Sequence, residues 1–121
     1  MPVSKVLIVD DSEPELLNLK KIVSTAGCSV SIARSGKEAL EKTRSEVPDL
    51  ILMDIVMDEV DGYAACREIK KDPATAKIPV VFVSSKNQKA DKLWAVKQGG
   101  DDLITKPYTE EQIISKIRSF G

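Results

Sequence analysis

The chain has 121 residues, 42% of them hydrophobic and 31% charged, with a formal net charge of −1 and no histidine. That length is used up by one domain, and a near-neutral balance without a basic stripe argues against nucleic acid as a partner. No apolar stretch reaches the ~20 residues of a membrane span, and the lack of histidine argues strongly against a structural zinc site and against a mechanism that uses a histidine base.

Met1 to Asp11 is short and ends in acid, so it does not read as a secretory signal. Val6 to Val9 reads as a buried parallel strand. Asp10-Asp11 follows it, and Ser12 with Glu15 matches a capping box at a helix start. Leu16, Leu19, Ile22, Val23 and Ala26 form an apolar stripe at helical spacing, stopped by Gly27. Val30-Ser31-Ile32 alternates, as an edge-side strand does. Ser35 with Glu38 is a second capping box, and Ala39, Leu40, Thr43 and Val47 a second stripe, ended by Pro48.

Leu50 to Met53 is another buried strand, with Asp54 at its end and a loop from Met57 to Gly62. Ala65, Cys66 and Ile69 mark a third helix, which Pro73 stops. Val80 to Val83 is a strand ending at Ser84. Ser85 with Gln88 is a third capping box, and Ala90, Leu93 and Val96 or Lys97 mark a fourth helix that ends at Gly99-Gly100. Leu103-Ile104 is a short last strand, followed by Lys106-Pro107. Thr109 with Gln112 opens a fifth helix striped by Ile113, Ile114, Ile117 and Phe120. Five strand-then-helix repeats with short connections predict a parallel sheet with helices on both faces. Neither GxGxxG nor GxxxxGK[ST] occurs, so a dinucleotide site or a P-loop is unsupported. Cys28 and Cys66 fit no metal-ligand spacing. They read as small buried hydrophobes, and two free thiols point to a reducing cytoplasm.

In such a sheet the polar residues at strand carboxyl ends share one crevice. Asp10, Asp11 and Asp54 would then crowd together beside Lys106. Two like charges ~4 Å apart repel by about 4 kcal/mol at an effective dielectric of 20. A retained proton or a bound cation relieves this, and Mg²⁺ favours hard oxygen donors of this kind. Lys106 and the Ser84 hydroxyl could hold two oxygens of a phosphoryl group. A carboxylate can itself be the nucleophile and form an acyl phosphate. Asp54, alone at the end of a central strand, is the candidate. Taken alone, Asp10-Asp11 reads equally well as acid capping a helix, Ser84 as a small strand-end residue and Lys106 as a surface lysine.

The segments VLIVDDS (Val6 to Ser12), DLILMDIVMDEVDGY (Asp49 to Tyr63), IPVVFVSSK (Ile78 to Lys86) and LITKPY (Leu103 to Tyr108) together resemble the response-regulator receiver family of two-component signalling. The resemblance covers essentially the whole chain. It implies a single (βα)5 doubly wound domain, CheY-like and flavodoxin-like, with a five-stranded parallel sheet of order 2-1-3-4-5 and no output domain. It also implies that Asp54 takes a phosphoryl group from a histidine kinase, of the CheA-like kind. Asp11, Asp54 and the main-chain carbonyl of Val56 would hold Mg²⁺, with Asp10 in support. Ser84 stands at the family's switch hydroxyl and Lys106 at its lysine, and the Lys106–Pro107 bond would be cis. A downstream protein would bind the face of the fourth helix, last strand and last helix, where Ser85, Trp94, Leu103, Lys106 and Tyr108 are candidates. Such a protein catalyses only its own phosphorylation and dephosphorylation. Ser84 to Pro107 is further similar to single-domain receivers of the PilH type, which implies chemotaxis-like control of type IV pili and twitching.

Two positions depart from the family pattern. Asp58 stands where proline usually follows the acceptor strand; this loosens the turn, and Asp58, Glu59 and Asp61 add negative charge, which implies slower phosphotransfer or a tighter Mg²⁺ dependence. Leu103 occupies the place of the usual switching aromatic. In the fourth helix, Leu93 is expected in the core, whereas Trp94, one position off the stripe, is expected to be partly exposed and able to make contacts. The charges from Lys86 to Lys97 read as a solvated face. A phosphate sink, a phosphate-independent receiver scaffold, a small aspartyl-phosphate phosphatase and a flavodoxin-like carrier remain the rival readings. Adjacent acids rather than Asp-x-Asp weigh against the phosphatase, and acid after the first strand weighs against FMN.

Overall fold

In the computed structural model, which describes residues 3–57, 59–85 and 89–120, strands and helices alternate strictly. They are β1 (Lys5–Val9), α1 (Glu13–Thr25), β2 (Ser29–Ala33), α2 (Gly36–Glu46), β3 (Leu50–Met53), α3 (Gly62–Lys71), β4 (Val80–Ser84), α4 (Lys89–Lys97), β5 (Asp102–Thr105) and α5 (Glu110–Ser119). All strands are parallel, in the order β2-β1-β3-β4-β5. The expected architecture is therefore the observed one.

Period-two alternation sorts the strand residues onto two cores. Leu7, Val9, Ile51, Met53, Val80 and Phe82 face α2, α3 and α4, where they meet Ala39, Ala65, Cys66, Ile69 and Ala95. Val6, Ile8, Leu50, Leu52, Val81, Val83 and Ile104 face α1 and α5, where they meet Leu16, Leu19, Ile22, Val23, Ile113 and Ile117. The near-continuous apolar runs of β1, β3 and β4 reflect burial on both faces. No helix among the described residues is long and apolar enough to cross a membrane.

Several local expectations need correction. Thr109 and Gln112 form a complete capping box. Ser35 accepts from Glu38 N at 3.1 Å, but Glu38 Oε1 accepts from Arg34 N rather than from Ser35. Ser12 makes no side-chain cap at all. The Ser85–Gln88 pairing lies outside the described residues. Asp61, counted above as added negative charge, caps α3 by accepting from Ala64 N at 2.8 Å. Val47 is not part of the α2 stripe: it is the exposed, left-handed C-cap.

The largest difference is α4. Leu93 is 67% exposed rather than buried, Trp94 is 53% exposed, and Val96 is also exposed. The buried member is Ala95. Four consecutive apolar residues, Leu93 to Val96, leave the helical phase undetermined. Ala95 settles it because a small residue lets the helix approach Phe82 and Gly100 closely. A Cβ on Gly100 would come within 2.5 Å of the Phe82 ring and 2.9 Å of the Ala95 carbonyl oxygen.

Candidate functional site

The register of the sheet assembles the site. Val9 pairs with Met53, so the next residues, Asp10 and Asp54, leave adjacent strand ends together. Asp54 N donates to Val9 O at 2.9 Å, and Asp10 N donates to Ala33 O at 3.1 Å. Ser84 pairs with Thr105, and Lys106 N donates to the Ser84 carbonyl at 2.7 Å. The backbone thus ties the β4 end to the lysine. The Lys106–Pro107 bond is cis.

Asp10, Asp11 and Asp54 each offer a carboxylate oxygen, all within 4.8 Å of one another. Asp10 is buried, Asp54 partly buried and Asp11 exposed. Both oxygens of Asp10 are already engaged. Oδ1 accepts from Ser12 N at 3.0 Å, and Oδ2 accepts from Lys106 Nζ at 3.1 Å. Among the described residues nothing engages the Asp11 carboxylate in a hydrogen bond or ion pair. Lys106 Nζ also lies 3.7 Å from Asp54 Oδ1 and 3.8 Å from Glu15 Oε2.

Burial, chiefly, and then the charge of Asp10 push the Asp54 carboxyl up from 3.8 to about 6; Lys106 and the Ile55 N–H pull against this, and Asp11 adds to it. For Lys106, burial alone would lower the ammonium. The hydrogen bond to Asp10 and the attraction of Asp54, Asp10 and Glu15 outweigh it, so the group is held above its ordinary value. The pocket therefore contains a strained carboxylate facing a firmly charged ammonium. Hard oxygen donors, one of them exposed enough to leave room for water, match what Mg²⁺ prefers. The structure's own chemistry thus fits that ion.

Other expected residues are placed as follows. Val56 is exposed in the loop after β3. Ser84 is buried at the pocket end of β4 and Ser85 beside it is exposed. Leu103 is partly buried against the α2–α3–α4 core. Tyr108 packs against the α1–α5 core. Its hydroxyl turns into α1, donating to Glu15 Oε2 at 3.1 Å and accepting from Asn18 Nδ2 at 3.1 Å. Glu15 and Asn18 reach the edge of the site although their sequence spacing marks them only as helix residues. The available signal was topological: α1 and α5 cover the same face, so residues following β1 and β5 meet.

The family model for the response regulator receiver domain matches residues 6–118. The chain belongs to the response-regulator receiver family. PilH of Pseudomonas aeruginosa is 40% identical over 116 residues, covering 96% of both chains. PilG of the same organism is 34% identical over 115 residues, covering 95% of this chain and 85% of that one. The chemotaxis protein CheY4 of Vibrio cholerae superposes with a TM-score of 0.91 over 98% of this chain and 99% of that one; at 23% identity this speaks for the fold alone. Receiver domains in general take a phosphoryl group from a histidine kinase and hold Mg²⁺ at an acidic cluster of the kind found here.

Proposed function

We propose that this receiver takes a phosphoryl group onto Asp54 from a histidine kinase of a chemotaxis-like system that controls type IV pili. One observation carries the chemistry: Lys106 Nζ bridges Asp10 and Asp54, at 3.1 and 3.7 Å, inside a cluster of three carboxylates. A carboxylate oxygen of Asp54 attacks phosphorus on the donor imidazole. The new O–P bond forms as the N–P bond breaks, and the electron pair stays on the imidazole nitrogen. Asp11, Asp54 and the Val56 carbonyl would hold Mg²⁺, which supplies charge neutralisation of the phosphoryl oxygens. Asp10 orients Lys106, its two oxygens being committed to Ser12 N and the ammonium. Lys106 then pairs with the phosphoryl group, and the Ser84 hydroxyl is its second protein partner.

The output is a population shift. Drawing Ser84 and Lys106 toward the phosphoryl group repositions the β4 end, the α4 segment and β5, to which they are tied. The exposed Leu93, Trp94 and Val96 then present a changed surface to a downstream protein. The protein's own catalysis is confined to gaining and losing its phosphoryl group. The pilus assignment rests on the similarity to PilH and PilG.

The test is phosphotransfer from purified, radiolabelled histidine kinases of the source genome. Label passes fastest from the chemotaxis-type kinase and does not pass to Asp54→Asn. Preferential transfer from an unrelated kinase would overturn the pathway, and transfer to Asp54→Asn would overturn the acceptor.

A further inference from the structure

We propose that Glu15 is a positioning residue for Lys106: it draws the ammonium toward a resting place that an incoming phosphoryl group must compete for, and Tyr108, itself held by Asn18, limits how closely it does so. This rests on Asp54 being the acceptor. The sequence spacing would spend Glu15 on capping α1, but the geometry does not. Ser12 makes no side-chain cap, and its N–H is taken by Asp10 Oδ1. The Glu15 carboxylate turns instead toward Lys106, at 3.8 Å, nearly the same distance as Asp54 at 3.7 Å. Asp10 holds the ammonium at hydrogen-bond distance, and Asp54 and the more exposed Glu15 both attract it, Glu15 the more weakly.

The oxygen of Glu15 that faces Lys106 is Oε2, and it is the same oxygen that accepts from Tyr108 Oη at 3.1 Å. Asn18 Nδ2 donates in turn to Tyr108 Oη. A half-buried tyrosine hydroxyl wants a partner, but any neutral acceptor would satisfy it. A carboxylate there does something more. Tyr108 draws charge from Oε2 and fixes how near it comes to the lysine. Removing the Glu15 charge frees Lys106 for the phosphoryl group. Removing only the Tyr108 hydroxyl leaves the full charge of Glu15 free to close on Lys106. The two changes therefore act in opposite directions, which a merely structural role would not produce.

The experiment measures the rate of labelling by acetyl phosphate with Mg²⁺. An Asp54 oxygen forms its bond to phosphorus as the bond to acetate breaks, and acetate leaves with the electron pair. Glu15 and Lys106 are 31% and 20% exposed, so solvent screens the pair, and Glu15→Gln raises the rate about two- to fivefold. Glu15→Asp, which keeps the charge but draws it back from Lys106 by one methylene, gives a rate between those of the parent and Glu15→Gln. Tyr108→Phe lowers the rate, and Glu15→Gln combined with Tyr108→Phe matches Glu15→Gln alone, because the tyrosine acts through Glu15. Circular dichroism and thermal midpoints confirm that each variant is folded. Equal rates for Glu15→Gln and parent, or changes of the same sign in both single variants, overturn the proposal while leaving Asp54 as acceptor. Unchanged labelling of Asp54→Asn removes the acceptor reading itself, and this proposal with it.

Discussion

Asp54→Asn stabilises the metal-free protein at neutral pH. Asp54, Asp10 and Asp11 have carboxylate oxygens within 4.8 Å of one another, a distance at which each pair of charges repels by about 3.5 kcal/mol at an effective dielectric of 20. Lys106 Nζ, 3.7 Å from Asp54, returns about 4.5 kcal/mol on the same scale, but it is shared with Asp10. Burial of a side chain only 12% exposed tips the balance against the charged form. The rise of the Asp54 carboxyl from 3.8 to about 6 corresponds to about 3 kcal/mol.

Between those two values the folded state binds more protons at Asp54 than the unfolded state does. Stability therefore falls as pH rises through the window and stays reduced above it. Asparagine cannot ionise and carries no such cost, so the variant is more stable than the parent by about 1–3 kcal/mol near pH 7.5, and the gap closes near pH 4. Added Mg²⁺ narrows the gap at neutral pH by binding the folded parent. Urea unfolding followed by circular dichroism over that pH range, with EDTA and with Mg²⁺, measures all three effects. A variant less stable than the parent near pH 7.5, or a gap that does not change with pH, would refute the reasoning.

Other perturbations separate the parts of the site. Asp11→Asn, at an exposed position, removes the weakest of the charges that raise Asp54, so it stabilises the metal-free protein at neutral pH by less than Asp54→Asn does, about 0.5 kcal/mol, but it removes most of the Mg²⁺-dependent rise in the urea midpoint. Gly62→Ala drives a Cβ to 2.1 Å from the Asp54 carbonyl oxygen; it lowers stability by about 2 kcal/mol and slows labelling of Asp54, both measurable on one preparation. Asp102 accepts a hydrogen bond from Lys116 and pairs with Lys92 at 3.5 Å, joining α4, β5 and α5. Burial would raise its carboxyl, but the hydrogen bond from Lys116, the Leu103 N–H and the two lysine charges outweigh it and hold it below 3.8. Its contribution is therefore present above that value and lost as pH falls through the folded one, so Asp102→Asn costs about 1 kcal/mol at neutral pH and little in acid, by the same urea titration.

The apolar runs of β1, β3 and β4 were legible because a strand buried on both faces admits little else. Their ends were legible for the same reason: Asp10, Asp54 and Ser84 stop those runs abruptly, and parallel pairing then carries all three to one edge. Lys106 was legible as the residue after the last strand. What periodicity alone could not fix was the phase of α4, where Leu93 to Val96 is apolar throughout and the small Ala95 decides the contact. Local spacing also misassigned Glu15. A capping box and a pocket carboxylate look identical in sequence, and only the approach of Tyr108 from the β5–α5 connection, more than ninety residues away, distinguishes them.

The most direct measurement is intact-protein mass spectrometry with peptide mapping after incubation with acetyl phosphate. With Mg²⁺ the protein gains the mass of one phosphoryl group, carried on the peptide that contains Asp54. The adduct is absent with EDTA and in Asp54→Asn. An adduct on another residue, or one that forms equally well without a divalent cation, would contradict the account.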